Sequence, residues 1–194
     1  MSGNAAVRNP SVSVDNFSKG RLKSSFVEAE TFTGMFMIRF EQVSKTYPGG
    51  FEALKNVSFR IKKGEMIFVA GHSGSGKSTV LKLISGITKP TSGKVWFNNQ
   101  DLGALNDNQI GFMRQHIGIV FQDHKILYDR NVLQNVILPL RIIGYQPGKA
   151  EERARIAVEK VGLKGRELDD PVTLSGGEQQ RLCIARAVVH QPSL

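Results

Sequence analysis

The sequence predicts an α/β domain, in which strands and helices alternate along most of the chain. After residue 37, segments with apolar residues at every second position are interleaved with segments whose apolar residues recur at helical spacing. A continuous apolar run, Met66–Ala70, leads into a glycine-rich loop, which is typical of a strand covered on both faces. The chain has 194 residues, of which 40% are hydrophobic and 22% charged. That length and composition are sufficient for a folded core.

The strands are predicted from alternation. Ile38–Val43 has apolar residues at positions 38 and 40, and Asn56–Ile61 repeats the pattern, so each is expected to bury one face. A turn is expected at residues 62–64, where two lysines precede a glycine. Lys94–Phe97 and Ile117–Val120 are predicted as two further short strands.

Three segments have the apolar spacing of helices. Thr79–Ile84 follows the glycine-rich loop, and a helix that includes Leu182, Ala185 and Val189 follows a pair of glycines. The third begins after Gly148. Its apolar stripe consists of Ala150, Ala154, Ala157, Val158 and Val161, with Glu151 and Arg155 paired on the opposite side.

Residues 1–36 differ from the rest, because they are rich in Ser, Asn and Gly and show no sustained period. We predict a flexible N-terminal extension over residues 1–36 and one domain over residues 37–194. The single cysteine, Cys183, excludes a disulfide framework within the chain and fits a reducing compartment. No apolar stretch is long enough for a secretory signal or a membrane span, which predicts a soluble intracellular domain.

The chain is basic, with 26 Lys and Arg against 17 Asp and Glu and a formal net charge of +9. Such an excess is compatible with a nucleic acid, an anionic membrane surface or a phosphate ligand. The charge alone does not choose among these three.

The first motif with a chemical meaning is the loop Gly71–Thr79, which matches G-x-x-x-x-G-K-[ST] between a predicted strand and a predicted helix. Its glycines let the backbone approach phosphate oxygens, and the helix adds its positive N-terminal end. Lys77 would supply a charge for the β- and γ-phosphates, and Ser78 a hydroxyl for Mg²⁺. His72 is at a variable position and is assigned no catalytic role.

A second candidate anion site opens the helix near the C-terminus. The sequence there is Leu-Ser-Gly-Gly-Glu, residues 174–178, followed by Gln-Gln-Arg. Ser175 is predicted to be the N-cap, and the two glycines leave backbone N–H groups uncovered at a positive helix end. A well-capped helix without a ligand is the alternative interpretation of this segment alone.

Together the two motifs resemble the nucleotide-binding domain of ABC ATPases, whose signature sequence is LSGGQ. The resemblance covers residues 37–194 and implies a P-loop NTPase fold with an antiparallel β subdomain and an α-helical subdomain. It implies ATP and Mg²⁺ as ligands. It also implies an ATP-bound homodimer, in which Ser175 and Gly177 of one subunit face the γ-phosphate held by the other.

Three further positions carry over from the family. Tyr47 corresponds to an aromatic residue that stacks on adenine, and Gln122 to a glutamine that contacts Mg²⁺ and the attacking water. The segment Asp123–Asn135 matches the helical region that grips a membrane subunit. The nucleotide-binding set implied by the resemblance is Tyr47, Gly71, His72, Ser73, Gly74, Ser75, Gly76, Lys77, Ser78, Thr79, Ser175, Gly176, Gly177 and Glu178. The catalytic residues it implies are Lys77 and Gln122, and the Mg²⁺ ligands are Ser78 and Gln122.

Within the family, the segments Met37–Glu41, Gly71–Gly74 and Phe121–His124, the last followed by Asp129 and Arg130, are similar to an ATPase of bacterial cell division. This likeness implies a peripheral protein on the cytoplasmic face of the inner membrane, bound to an integral membrane subunit and to no specific nucleic acid. The alternatives are an ATPase for lipoprotein release or small-molecule export, and a nucleotide-gated scaffold with little turnover. A soluble ABC-type ATPase acting on DNA or ribosomes is less consistent with the sequence, which has no long insertion or second cassette.

Members of this family also contain a strand that ends in Asp and Glu, and then a switch histidine. Residues 190–194 look like the approach to that strand. Asp169, Asp170 and His190 precede it and cannot substitute for these groups. The resemblance therefore implies an N-terminal part of a longer ATPase, truncated before the Walker B strand, which alone would hydrolyse ATP poorly or misfold.

Overall fold

The structure is a computed structural model that describes residues 12–13 and 36–194. The predicted extension, residues 1–36, lies outside the described residues apart from Val12, Ser13 and Phe36. Contacts divide the described residues into two compact units, one that ends at residue 110 and one that covers residues 111–194. In chain order the strands are β1 (Val12–Ser13), β2 (Phe36–Thr46), β3 (Glu52–Lys62), β4 (Val69–Ala70), β5 (Ser92–Phe97) and β6 (Gln100–Asp101). The helices are α1 (Lys77–Ile84), α2 (Asp107–Arg114), α3 (Val132–Ile142), α4 (Pro147–Lys160) and α5 (Gly176–Val188), with a 3₁₀ turn at Pro171–Thr173.

The first unit contains a four-stranded antiparallel sheet in the order β3-β2-β5-β6. Its inward-facing side chains come from alternate positions, as the sequence pattern predicted, and Ile38 and Phe40 are buried. The rings of Phe40 and Phe59 stack across the β2–β3 pair with their centroids 4.4 Å apart. The antiparallel β subdomain implied by the resemblance is therefore confirmed.

A β-bulge changes the phase of strand β2 at Gln42. This residue has a φ of 50° and is exposed. The register shifts between Phe40 and Val43 against β3, and between Glu41 and Ser44 against β5. Val43 is consequently buried, so the inward positions change from even to odd numbers. The predicted alternation over Ile38–Val43 is thus correct only up to residue 41.

The predicted strand Met66–Ala70 is much shorter in the structure. Only β4, the last two residues, pairs, and it does so in parallel with β1. Met66 and Phe68 lie outside any strand and are 62% and 63% exposed, so the prediction that both faces are covered is wrong. A strand exists only where a neighbour supplies backbone hydrogen bonds, and a local apolar run does not reveal that neighbour.

The second unit has an apolar core formed by α3, α4 and α5. Pro139 lies inside α3, and the alanine stripe of α4 (Ala150, Ala154, Ala157) is buried as predicted. Cys183 is also in this core; its Sγ donates to the carbonyl of His124 at 3.2 Å. Burial raises the pKa of the Cys183 thiol, which is typical of a structural rather than a reactive cysteine. The α-helical subdomain implied by the resemblance is therefore confirmed.

The predicted strand Ile117–Val120 is not formed. Near this segment, the N–H groups of Ser193 and Leu194 donate to the carbonyl of His116 at 2.9 and 3.1 Å, and the carbonyl of Leu194 accepts from Gly118 at 2.8 Å. A ladder needs successive bonds along both segments, and these bonds do not extend beyond Gly118. Among the described residues, no helix is both long and apolar enough to cross a membrane.

Candidate functional site

The glycine-rich loop joins β4 to α1 in the first unit. Gly76 is the N-cap of α1 and has a φ of 91°, in the left-handed region where a side chain is unfavourable. A Cβ at this position would lie 2.6 Å from the Ala53 carbonyl oxygen and 2.7 Å from Leu54 Cδ2. The loop is thus packed closely on β3. The N–H groups of the first turn of α1 have no acceptor within the helix, so they are available to an anion.

Lys77 folds back over this loop. Its Nζ donates to the carbonyls of Gly71 and His72 at 2.8 and 2.7 Å, and to Ser75 Oγ at 3.4 Å. The Lys77 ammonium therefore lies inside the curve of the loop and links Gly71 and His72, at its start, to Ser75 in its middle. Ser78, the next residue, is exposed at the first turn of the helix.

Tyr47 lies beside the same helix. Its hydroxyl is 3.4 Å from Oγ1 of Thr79, which is buried in the first turn of α1. Its backbone closes the turn after β2, because its N–H donates to Phe51 and its carbonyl accepts from Gly50, at 2.9 and 3.1 Å. The structure thus brings Tyr47 next to the helix that follows the glycine-rich loop.

The second motif is the N-terminus of α5 in the second unit. Ser175 is the N-cap, as predicted, and forms a capping box with Glu178. Ser175 Oγ accepts from the Glu178 N–H at 3.4 Å, and Glu178 Oε2 accepts from the Ser175 N–H at 2.8 Å. Ser175, Gly176 and Gly177 are exposed. This helix end is therefore open to a ligand or a partner.

Arg166 anchors the capping carboxylate. Its Nη1 donates to Glu178 Oε1 at 2.9 Å, and its Nε donates to Asp169. Hydrogen bonds from the N–H and the hydroxyl of Ser175 hold the pKa of Glu178 below its ordinary value, and Arg166 and Arg181 lower it further. These contacts favour the ionised carboxylate, which is the form that accepts the hydrogen bonds of the cap.

We expect the stability contributed by this cap to depend on pH. The pKa of Glu178 is lower in the folded chain than in the unfolded one, so its contribution is complete above the ordinary value of 4.5 and is lost as the pH falls through the folded value. Urea unfolding of the wild type and of Glu178→Gln should differ more at pH 6 than at pH 3. A difference that does not change with pH would contradict this assignment. Glu152→Gln, an exposed carboxylate on α4, is the control.

Gln122 lies in a turn of the second unit and is exposed. The strand predicted to precede Gln122 is not formed, so Gln122 is positioned by the loop that follows it. In that loop, His124 and Lys125 have φ values of 57° and 49°, which is unusual for residues with side chains. The cause is a set of contacts from α3 and α5.

Two residues that the sequence did not indicate hold this loop. Asn135, fully buried in α3, donates from Nδ2 to the carbonyls of Leu127 and Arg130 at 2.9 and 3.0 Å. Arg186 of α5 donates to the carbonyls of His124 and Lys125 at 2.7 and 2.8 Å. A signal for Asn135 existed, because it is an amide among apolar residues on the inner face of α3. Arg186 had none, since it contacts residues about sixty positions away.

The residues present fit a magnesium ion that is shared with phosphate oxygens. Among the described residues, no group of three or more His, Cys, Asp or Glu side chains could hold a metal ion by itself. The exposed hydroxyl of Ser78 follows the phosphate-type loop directly, and Mg²⁺ prefers few protein ligands together with phosphate and water oxygens. Ser78 is therefore the described side chain of the loop best suited to this ion.

Comparison with known proteins agrees with this geometry. Residues 54–194 match the family described as ABC transporter. The cell division ATP-binding protein FtsE of Escherichia coli K12 is 51% identical over 158 residues, which cover 81% of this chain and 71% of that protein. The lipoprotein-releasing system ATP-binding protein LolD of Coxiella burnetii is 42% identical, with 80% and 69% covered.

Solved structures are similar as well. A dimeric ATP-binding cassette in a post-hydrolysis state, bound to ADP and Pi, superposes with a TM-score of 0.75 at 39% identity. The match covers 80% of this chain and 71% of that one. The family match spans most of the chain, and the phosphate-type loop and the capped signature helix both have the geometry the motifs predicted. The chain therefore belongs to the ABC transporter family, as an ATP-binding cassette similar to FtsE.

Proposed function

We propose that this chain is the ATP-binding and ATP-hydrolysing subunit of a membrane-associated complex that resembles FtsE with its membrane partner FtsX. Such a complex would use ATP to regulate cell-wall remodelling at the division septum. The observation that carries the proposal is the combination, in one chain, of a lysine-centred phosphate loop and an exposed, capped signature helix. The identity to FtsE supports the assignment to cell division.

ATP binding would exchange one set of hydrogen bonds for another. The Lys77 ammonium now donates to the carbonyls of Gly71 and His72, and phosphate oxygens would replace these acceptors with charged ones. The N–H groups at the start of α1 would bind the same phosphates, and Ser78 would hold Mg²⁺ with the β- and γ-phosphate oxygens. Tyr47 would stack on adenine. When bound, Mg²⁺ neutralises charge that develops on the phosphates during hydrolysis.

The signature helix would complete the site of a second copy. Ser175 and Gly177 are exposed at the positive end of α5, so they can face the γ-phosphate held by another subunit. The solved cassette at 39% identity is dimeric, which supports this arrangement. Dimerisation would then depend on ATP, because the phosphate supplies the contact between the two surfaces.

Ser175→Arg is expected to separate the two steps. A bulky side chain at the exposed cap would obstruct closure, while the phosphate loop in the other unit keeps its own contacts. We expect MgATP affinity measured by calorimetry to be unchanged, and ATP-dependent dimerisation measured by sedimentation to weaken at least about thirtyfold. Equal loss of both would contradict a site shared between two subunits. Glu152→Arg, on the exposed side of α4, is the matched control.

The loop after Gln122 is the proposed contact for the membrane subunit. Its backbone is fixed by Asn135 and Arg186, and Tyr128 within it is 53% exposed. A rigid loop with an exposed aromatic residue suits a docking surface, since little entropy is lost on binding. The cassette would then lie at the cytoplasmic face of the inner membrane as a peripheral protein.

Co-expression distinguishes the two candidate systems. The similarity to LolD favours a second candidate, an ATPase for lipoprotein release. The tagged chain is co-expressed with E. coli FtsX or with the membrane subunits of the E. coli lipoprotein-releasing system, and the detergent extract is purified. Recovery of FtsX alone supports the first proposal, and recovery of the other subunits alone overturns it. Tyr128→Ala should reduce recovery, whereas Ile156→Ala, a similarly exposed residue of α4, should not.

A nucleotide-gated scaffold is the remaining alternative. It predicts ATP-dependent dimers whose lifetime is independent of phosphate release, whereas an ATPase predicts dimers that dissociate as phosphate appears. Low ATP turnover by the 194-residue chain stays a prediction. A phosphate-release assay on the 194-residue chain tests the turnover directly.

A further inference from the structure

Lys45 contacts the ring that is proposed to bind adenine. Its Nζ lies 5.3 Å from the centroid of the Tyr47 ring, within the range of a cation–π contact. The same ammonium donates to the carbonyl of Lys89 at 2.8 Å, so it is held over the ring by the backbone of another segment. Lys45 as a whole is half-buried.

The segment that holds Lys45 is itself anchored. Lys89 Nζ donates to the carbonyls of Gly103 and Leu105, at 3.2 and 3.0 Å. Two residues further on, Thr91 Oγ1 accepts from the N–H of Thr46, between Lys45 and Tyr47, at 3.0 Å. The backbone on which Lys45 depends is therefore fixed at both ends.

The Tyr47 ring is consequently restrained in two ways. The ammonium covers one face, and the hydroxyl reaches Thr79 at the start of α1. A ring fixed in this way would lose little freedom when a base binds, and the base would stack on the face opposite Lys45. A cation on one face also draws π-electron density from the other, which reduces repulsion from the π-cloud of a purine.

We propose that Lys45 is a positioning residue for adenine recognition, acting through Tyr47 and directing the base to the opposite face of the ring. This inference rests on the proposed binding of ATP at the phosphate loop. It differs from a direct role in phosphate binding, since it predicts an effect that requires both the base and the tyrosine ring.

The test compares ATP with tripolyphosphate, which has the phosphates but no base. Calorimetry with Mg²⁺ is carried out on the 194-residue chain and on its variants Lys45→Met, Lys45→Arg, Tyr47→Ala and the double variant of Lys45→Met with Tyr47→Ala. We expect Lys45→Met to weaken ATP about two- to fivefold and to leave tripolyphosphate unchanged. Lys45→Arg should restore ATP affinity, and Lys45→Met should add nothing to Tyr47→Ala.

Lys94→Met is the matched control, because Lys94 lies 5.5 Å from the ring of Trp96 in the same sheet. It should leave the affinity for both ligands unchanged. Equal weakening of tripolyphosphate by Lys45→Met would overturn the proposal, as would an effect that persists without the Tyr47 ring, or no effect on ATP. If the proposed binding of ATP at the phosphate loop is itself wrong, the result is a different one, because the wild-type chain would then bind neither ATP nor tripolyphosphate.

Discussion

Lys77→Ala is expected to weaken MgATP binding by at least about a hundredfold. The substitution would remove the charge-assisted hydrogen bonds that Lys77 is proposed to donate to phosphate, each of which contributes about 1.5–3 kcal/mol. It also removes the ammonium that holds the carbonyls of Gly71 and His72, so the loop loses part of its shape before the ligand arrives. Calorimetry with MgATP measures the loss.

Lys82→Ala is the control for that loss. Lys82 is exposed in the last turn of the same helix, so it tests the effect of removing one positive charge from α1 without touching the loop. Its affinity for MgATP should remain that of the wild type. If the two variants bound equally well, the phosphate loop would not be the nucleotide site.

The largest expected loss of stability comes from Gly93→Ala. Gly93 lies in β5 opposite the bulge of β2, with a φ of 77°. A Cβ there would lie 2.3 Å from the carbonyl oxygen of Gln42 and 2.5 Å from that of Glu41, both of them backbone atoms that cannot rotate away. The strain of a left-handed backbone and the overpacking together should lower the free energy of unfolding by about 3 kcal/mol or more.

Gly64→Ala separates those two costs. Gly64 has the same φ of 77°, but a Cβ added there meets nothing within 4 Å. Gly64→Ala should lower the free energy of unfolding by about 1 kcal/mol, which corresponds to the backbone strain alone. Urea unfolding of both variants measures the difference. Equal losses would mean that the strands separate at the bulge without cost, and that Gly93 is not needed for close packing.

Local features were predictable from the sequence. The glycine-rich loop, the start of α1, the Ser175 cap and the Glu151–Arg155 pair depend on residues within a few positions of one another, and all four are formed. The signature motif and the loop also carried the family assignment. These are the parts for which sequence spacing directly determines geometry.

Features that depend on distant partners were not predictable. The short β4 and the missing strand at residues 117–120 reflect which backbone lies alongside, which no local pattern contains. The bulge at Gln42 likewise depends on its contacts, since its N–H donates to Ser58 on β3. Arg186 is the clearest case at the candidate site, because its role is visible only once α5 lies beside the loop after Gln122.

Helix α5 connects two places that are distant along the chain. Its first residues belong to the exposed signature. Near its other end, Arg186 donates hydrogen bonds to the loop that is proposed to contact a membrane subunit. The helical rise puts Ser175 and Arg186 about 16 Å apart along the axis. A helix of this length, packed in an apolar core, does not stretch or bend easily. We therefore expect a displacement of this loop to be transmitted along α5 to the residues of the signature.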